Sequence, residues 1–148
     1  MIRPIIKIEF LMKRPSAPAT ADDADVARDL LDTLEAHADS CVGLAGNMIG
    51  VLKRVIAFTD FGDAESYDEA EGETPNRVMF NPEIVSAEDP YSTAEGCLSL
   101  KGMRNTNRFG RITVRYQDET MAWHEESFSN FTAQIIQHQI DHCNGRVI

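Results

Sequence analysis

The spacing of apolar positions changes several times along the chain, and each change marks a structural element. The opening stretch Ile2-Arg3-Pro4-Ile5-Ile6-Lys7-Ile8 alternates weakly, and Pro15 to Pro18 break regular structure, which predicts an extended arm and then a loop. From Asp22 the period becomes helical, with Val26, Leu30, Leu31 and Leu34 on one stripe. Asp22, Asp23 and Asp25 stand near its start, where the helix dipole favours acids, so an amphipathic helix ending near Ala38 is expected. Val51 to Phe58, Val78 to Phe80, Ile84 to Ser86 and Arg111 to Tyr116 are rich in β-branched and aromatic residues and predict strands. The last of these is expected to pair with Met121 to Phe128 across Asp118-Glu119-Thr120. Asp60 to Pro75, loaded with Asp, Glu and Gly, reads as a solvated loop without a function of its own. Phe131, Ile135, Ile136 and Ile140 form a final helical stripe, stopped by Asn144-Gly145. Strands followed by a terminal helix predict an α+β fold, mostly antiparallel, in a single domain spanning residues 1–148.

Composition narrows the partners. The chain has 24 acidic and 14 basic residues, a formal charge of -10, so its surface repels phosphate backbones and anionic lipid. Direct nucleic-acid binding is not expected. No apolar run approaches the ~20 residues that span a bilayer, and Met1 to Arg14 carry scattered charges without a small-residue cleavage site. A cytoplasmic, monomeric protein is the expectation. The three cysteines, Cys41, Cys97 and Cys143, are widely spaced and odd in number, which argues against a disulfide framework and leaves room for a metal or nucleophile role.

The last predicted helix carries the most informative chemistry. His138 and His142 are four residues apart, so both imidazoles project from one face and can chelate one divalent ion. The same spacing also suits two exposed or core histidines. The metal reading gains weight from Glu95-Gly96-Cys97-Leu98-Ser99 upstream and from the wider segment Gln137-His138-Gln139-Ile140-Asp141-His142-Cys143-Asn144-Gly145.

These two segments resemble the second and third signature motifs of the peptide deformylase family. Cys41-Val42-Gly43-Leu44-Ala45-Gly46-Asn47-Met48 is similar to the first, a glycine-rich segment ending in Ala-Ala-x-Gln, and Asn81-Pro82-Glu83-Ile84 stands where the family has a similar strand. The resemblance covers roughly Asp22 to Val147 and keeps the motif order. It implies mostly antiparallel β-sheets packed around a C-terminal metal-binding helix, and hydrolysis of the N-formyl group of N-terminal formyl-methionine in nascent polypeptides. It also implies one divalent ion, Fe²⁺ or Zn²⁺ with Ni²⁺ or Co²⁺ as substitutes, held by Cys97, His138 and His142 with a fourth position open. Gly43, Leu44 and Arg104 would then meet the peptide, and the Leu98 backbone N–H would face the developing oxyanion.

The chain departs from the family pattern at two catalytic positions. Gln139 replaces the glutamate that serves as general acid and base; an amide has the carboxyl's shape but cannot accept and return a proton at neutral pH. Met48 replaces the glutamine that helps hold the oxyanion, and a thioether donates no hydrogen bond. Strongly reduced deformylase activity is therefore expected, with a catalytically inactive paralogue that binds metal and N-terminal methionine peptides as the alternative. Asp141 is a capping or supporting carboxylate or, less simply, a substitute proton carrier. Glu95 is expected to orient its loop through a buried polar contact, Cys143 to pack in the core, and His37 and His124 to lie at the surface. Leu100-Lys101 replaces the family's Val-Pro, Cys41 replaces a glycine, and neither Cys41 nor Trp123 receives a role.

Overall fold

The computed structural model describes residues 1–146, so Val147, the last residue of the family-like stretch, lies outside the described residues. The elements run α1 (Glu9–Met12), α2 (Ala24–Ala36), β1 (Gly43–Ala45), β2 (Val55–Thr59), β3 (Asn76–Cys97), β4 (Leu100–Gln117), β5 (Trp123–Ser129) and α3 (Asn130–Cys143). Among the described residues the strands form one antiparallel sheet in the order β1-β2-β3-β4-β5, in agreement with the α+β, mostly antiparallel expectation.

The opening arm does not pair as a strand. It turns into the short α1, which buries Met12, and Ile6 donates its N–H to the Met48 carbonyl at 2.8 Å. Helix α2 begins through a 3-10 turn rather than at Asp22 itself. Thr20 Oγ1 accepts from Asp22 N at 3.3 Å while Asp23 Oδ2 accepts from Thr20 N at 2.8 Å, a reciprocal cap. Leu30 and Leu34 on this helix are fully buried, as their spacing predicts.

The predicted strand from Val51 starts only at Val55, because Val51 N and Gly50 N close the 3-10 turn of residues 46–49 onto Gly46 and Asn47. From Val55 to Phe58 every residue is buried, so both faces of β2 are covered. The strands expected at Val78 to Phe80 and Ile84 to Ser86 are one, β3, with irregular register between Phe80 and Glu83 and between Ile84 and Ser86. Asn81 makes the first irregularity, at φ 52°, and its amide ties Ala19 N (2.7 Å), Ala19 O (2.9 Å) and Gln117 Oε1 (2.7 Å). The expected β4–β5 pairing is present, with Gln117 opposite Trp123, and Asp118 Oδ1 holds the turn through Thr120 N and Ala122 N at 2.8 and 3.1 Å. Trp123 stacks under the Arg115 guanidinium at 3.9 Å, and His124 is exposed as expected, whereas His37 is half-buried with Nδ1 2.9 Å from the Thr33 carbonyl.

Helix α3 is buried on more than its apolar stripe: from Ile135 to Cys143 every residue is buried. Its first turn is capped by the acidic loop, to which the sequence assigns no role. Thr132 Oγ1 accepts from Phe61 N at 3.0 Å and donates to Gly62 O at 3.1 Å, and Phe131 N donates to Ala64 O at 3.1 Å. At the other end Gly145, φ 74°, closes a Schellman motif: Gly145 N reaches His142 O at 3.0 Å and Arg146 N reaches Asp141 O at 2.9 Å. A Cβ on Gly145 would lie 2.5 Å from the Lys13 carbonyl, whereas Gly72, φ 78°, has nothing within 4 Å. Gly145→Ala therefore combines backbone strain with a clash, and Gly72→Ala has the strain alone. Urea denaturation should show Gly145→Ala losing more than ~1 kcal/mol and clearly more than Gly72→Ala.

Candidate metal centre

Two elements deliver the donors. His138 and His142 stand one turn apart on α3, and Cys97 ends β3 at the two-residue turn Leu98-Ser99 into β4. Cys97 Sγ lies 3.4 Å from His142 Nε2, which lies 3.0 Å from His138 Nε2, and the three donor atoms are all within 4.8 Å of one another. An ion bound to two nitrogens at ~2.0–2.1 Å with tetrahedral angles needs them ~3.3 Å apart, so these donors fit a divalent ion with small adjustment. At 3.0 Å the two imidazole nitrogens can share a hydrogen bond, one ring donating N–H to the other, or a metal ion in its place.

A buried polar network fixes the histidine orientation. His138 Nδ1 lies 2.8 Å from Glu95 Oε1, which places its proton there and leaves Nε2 free as a donor atom for a metal. Glu95 is also held by Arg108 Nη2 at 2.8 Å, Arg108 Nε at 3.0 Å and Gln134 Nε2 at 2.8 Å. Arg108 passes the link to α3 through Asp141 Oδ2 at 2.7 Å, and Arg146 adds a contact to Asp141 at 3.2 Å. The sequence anticipates a buried contact for Glu95 but not its partner. Arg108 and Gln134 escape notice because a lone arginine or glutamine has no distinguishing spacing. Asn47 is a further supporting residue, donating to the His142 carbonyl at 2.8 Å.

Electrostatics follow from burial and these bonds. Burial alone would raise the Cys97 thiol, but hydrogen bonds with His138 and His142 outweigh it and bring it to about 6. Burial would lower His138, yet Cys97 and Glu95 pull it up to about 9. Glu95, which burial would raise, is held at about 2 by His138, Arg108 and Gln134. Burial pushes Cys41 and Cys143 up to about 11. The centre thus attracts cations before any ion arrives, and binding one displaces a proton.

Beside the donors lies a cavity of about 490 Å³ lined by Gly43, Met48, Leu98, Phe131, Ile135 and Gln139 among others. Gln139 is 5% exposed, packs its amide against Gly43, and leaves Oε1 without a hydrogen-bond partner. Met48 is buried, and its sulfur accepts from Ala45 N at 3.4 Å. Two residues expected to meet the peptide, Leu44 and Arg104, are not among those lining the cavity. Leu44 is fully buried in the core and absent from the cavity wall, so only its backbone in β1 is available. Arg104 does not line the cavity; its guanidinium is drawn 3.2 Å from Glu9 on α1. Cys41, unexplained in the sequence, belongs to the wall and donates to Gly43 O at 3.1 Å, and Cys143 is fully buried in the core as expected.

The fold and the donor set define an α+β protein whose C-terminal helix and one strand end converge on an open three-donor site. The model of the family Polypeptide deformylase matches residues 2–148. A peptide deformylase of Clostridium beijerinckii is 43% identical over 150 residues, covering all of both chains, and one of Leptospira biflexa is 38% identical over 128 residues, 85% of this chain and 70% of that one. Among solved structures, the Met-Ala-Ser-bound class I type b peptide deformylase of Acinetobacter baumannii superposes with a TM-score of 0.82 at 27% identity, covering 99% of this chain and 97% of that one. The chain belongs to the peptide deformylase family. Members of this family use a single divalent metal, and Cys97, His138 and His142 form the candidate site for it here.

In metal-free protein at pH 7, Cys97 should be alkylated by iodoacetamide well before Cys41 or Cys143, since its thiol alone lies below neutrality. The rate should fall as pH drops below 6, and one equivalent of Zn²⁺ should block the reaction; peptide mapping that finds Cys97 unprotected would remove it from the ligand set. Arg108→Leu takes the shared guanidinium from Glu95 and Asp141, leaving Glu95 with His138 and Gln134 and Asp141 with Arg146, and should cost about 3–5 kcal/mol of unfolding free energy in urea titration.

Proposed function

We propose that this chain is a metal-holding deformylase whose action on N-terminal formyl-methionine peptides is strongly slowed. The observation that carries the reading is the absence of a free carboxylate at the cavity among the described residues. Glu95, the one acid in the wall, already accepts from Arg108, Gln134 and His138. Asp141, the substitute considered above, faces Arg108 and Arg146 and does not line the cavity.

The family's reaction adds water to the formyl carbon, releases formate and returns a proton to the leaving amine. A divalent ion held by Cys97, His138 and His142 would polarise the carbonyl and make water more acidic. The remaining work falls to the protein. Gln139 can orient water or the formamide through its amide but cannot carry the proton between them. Leu98, in the turn beside Cys97, offers a backbone N–H for the oxyanion, and Met48 offers no second donor. Gly43 keeps the wall open: a Cβ there would meet Gln139 Nε2 and Ile135 Cγ2, each at 2.8 Å. Losing a general base costs ~10²–10⁴ in rate, and losing one oxyanion donor ~10²–10³. Taken as independent, the two amount to ~10⁴–10⁷; groups acting as a unit give less.

The second reading is a catalytically silent relative that binds metal and methionine-headed peptides. The intact cavity, with Phe131 and Ile135 still apolar beside the donors, favours it. One experiment separates the two. Protein loaded anaerobically with Fe²⁺, with stoichiometry verified, is mixed with a formyl-Met peptide beside the double reversion Gln139→Glu, Met48→Gln. Formate release should be at least ~10³-fold slower in the natural chain. No release at all supports the silent relative, and equal rates refute both readings.

A further inference from the structure

The cavity at the metal donors does not end at Leu98. On the other side of that residue lies a second pocket of about 310 Å³, lined by Arg3, Lys7 and His37 together with Ile2, Ile5 and Leu98. Two features join the pockets into one groove. Leu98 is a wall of both, and the turn after α2 runs from one to the other: His37 lines the second pocket, Ser40 to Gly43 line the first, and Ser40 N donates to the His37 carbonyl at 3.0 Å.

The charge of this extension is opposite to that of the molecule. The chain carries 24 acidic and 14 basic residues, yet neither Asp nor Glu lines the second pocket. The arm that brings the cations is fixed by its backbone: Arg3 N donates to Thr33 Oγ1 on α2 at 2.9 Å, and Ile6 N donates to the Met48 carbonyl at 2.8 Å. Arg3 is only loosely neutralised, since Asp29 lies 3.6 Å from its guanidinium and closer, at 2.9 Å, to the Met1 amine. Lys7 is exposed and unpaired, for among the described residues the one lysine in an ion pair is Lys53, with Asp23. Two cations held in place with little matching acid make a positive spot that an anionic side chain would complete.

We propose that this pocket receives an acidic side chain of the peptide whose N-terminal methionine occupies the cavity, so that the protein favours methionine-headed peptides with Asp or Glu shortly downstream, and that Lys7 and Arg3 determine this specificity. The inference rests on the peptide-binding reading that both alternatives above share. An extended peptide advances ~3.3–3.6 Å per residue, so a chain leaving the cavity passes Leu98 within about two or three residues of its methionine. Ile2 and Ile5 then offer apolar surface to the stem of the acidic side chain, and the two cations lie beside its carboxylate. The sign of the preference separates this local effect from the general one. A net charge of -10 acting as a whole would draw basic peptides instead.

The test is calorimetric titration of Zn²⁺-loaded protein at pH 7 and low salt with the amidated peptides formyl-Met-Ala-Glu-Glu, formyl-Met-Ala-Gln-Gln and formyl-Met-Ala-Lys-Lys, with formate measured in the same samples. A partly exposed ion pair shifts an equilibrium by up to about fivefold, so the acidic peptide should bind about threefold to tenfold tighter than the neutral one, and the basic peptide weakest. Added salt should narrow the spread. Lys7→Glu should reverse the order, whereas Lys13→Glu, an equal change of net charge outside the pocket, should keep it. Equal affinities, or the basic peptide binding tightest, would overturn the inference and leave the peptide-binding reading standing, as would an acidic preference that survives Lys7→Glu. Failure of all three peptides to bind would overturn the peptide-binding reading and this inference with it. Formate release at the rate of the double reversion would overturn slow turnover alone, and the order of the three peptides in kcat/KM would then decide the preference in the same way.

Discussion

Arg108 joins the two halves of the centre. It is 3% exposed, and its guanidinium reaches Glu95 on β3 and Asp141 on α3, the element that carries both histidines. Three ionised side chains out of water are unfavourable individually, and they persist because each satisfies the others in good geometry. The consequence is positional. The end of β3 that presents Cys97 and the helix that presents His138 and His142 cannot shift independently without breaking this knot. The bond from Glu95 to His138 Nδ1 then turns a structural constraint into a choice of tautomer, with Nε2 directed at Cys97 and His142.

The surrounding segments reinforce the same helix. The acidic loop caps its first turn through Thr132 and Phe131, and Gly145 closes its last turn against the arm at Lys13. Asn47 grips the His142 carbonyl from the turn that also carries Met48. Almost every contact of α3 is therefore tertiary, which is why a helix with five buried polar residues in its last two turns, Gln137, His138, Gln139, Asp141 and His142, remains ordered. Among the described residues, no helix is long and apolar enough to cross a membrane.

The fold was legible where periodicity was strong. The stripes of α2 and α3, and the β4–β5 hairpin across Asp118, followed from spacing and turn chemistry alone. The length of β3 and β4 did not, because their exposed middle, around Glu88 to Ser92, carries Pro90 and charged residues that read as loop; pairing with the neighbouring strand overrides local propensity there. The extended arm followed from its weak alternation, whereas the single turn of α1 after it, at Glu9–Met12, did not, because four residues are too few to show a helical period. At the centre, residues in a recognisable motif were found and those outside one were not. Cys97, His138 and His142 announce themselves by spacing and company, whereas Arg108 acts only through tertiary approach. Arg104 matches a family position, and its ion pair with Glu9 on α1 likewise comes from tertiary approach and not from spacing.

Gln139 shows why the metal framework and the chemistry can part company. The framework depends on Glu95, Arg108 and Asp141, none of which touches position 139 in the hydrogen bonds described. A carboxylate at that position would be nine-tenths buried against Gly43 and Ile135 without a hydrogen-bond donor, an expensive arrangement that function alone would justify. An amide keeps the shape at lower electrostatic cost, and Met48 fills its place as a buried side chain whose sulfur closes the local turn. Neither side chain takes part in the contacts among Cys97, His138 and His142. The donor geometry thus rests on Glu95, Arg108 and Asp141, and does not depend on the side chain at position 139.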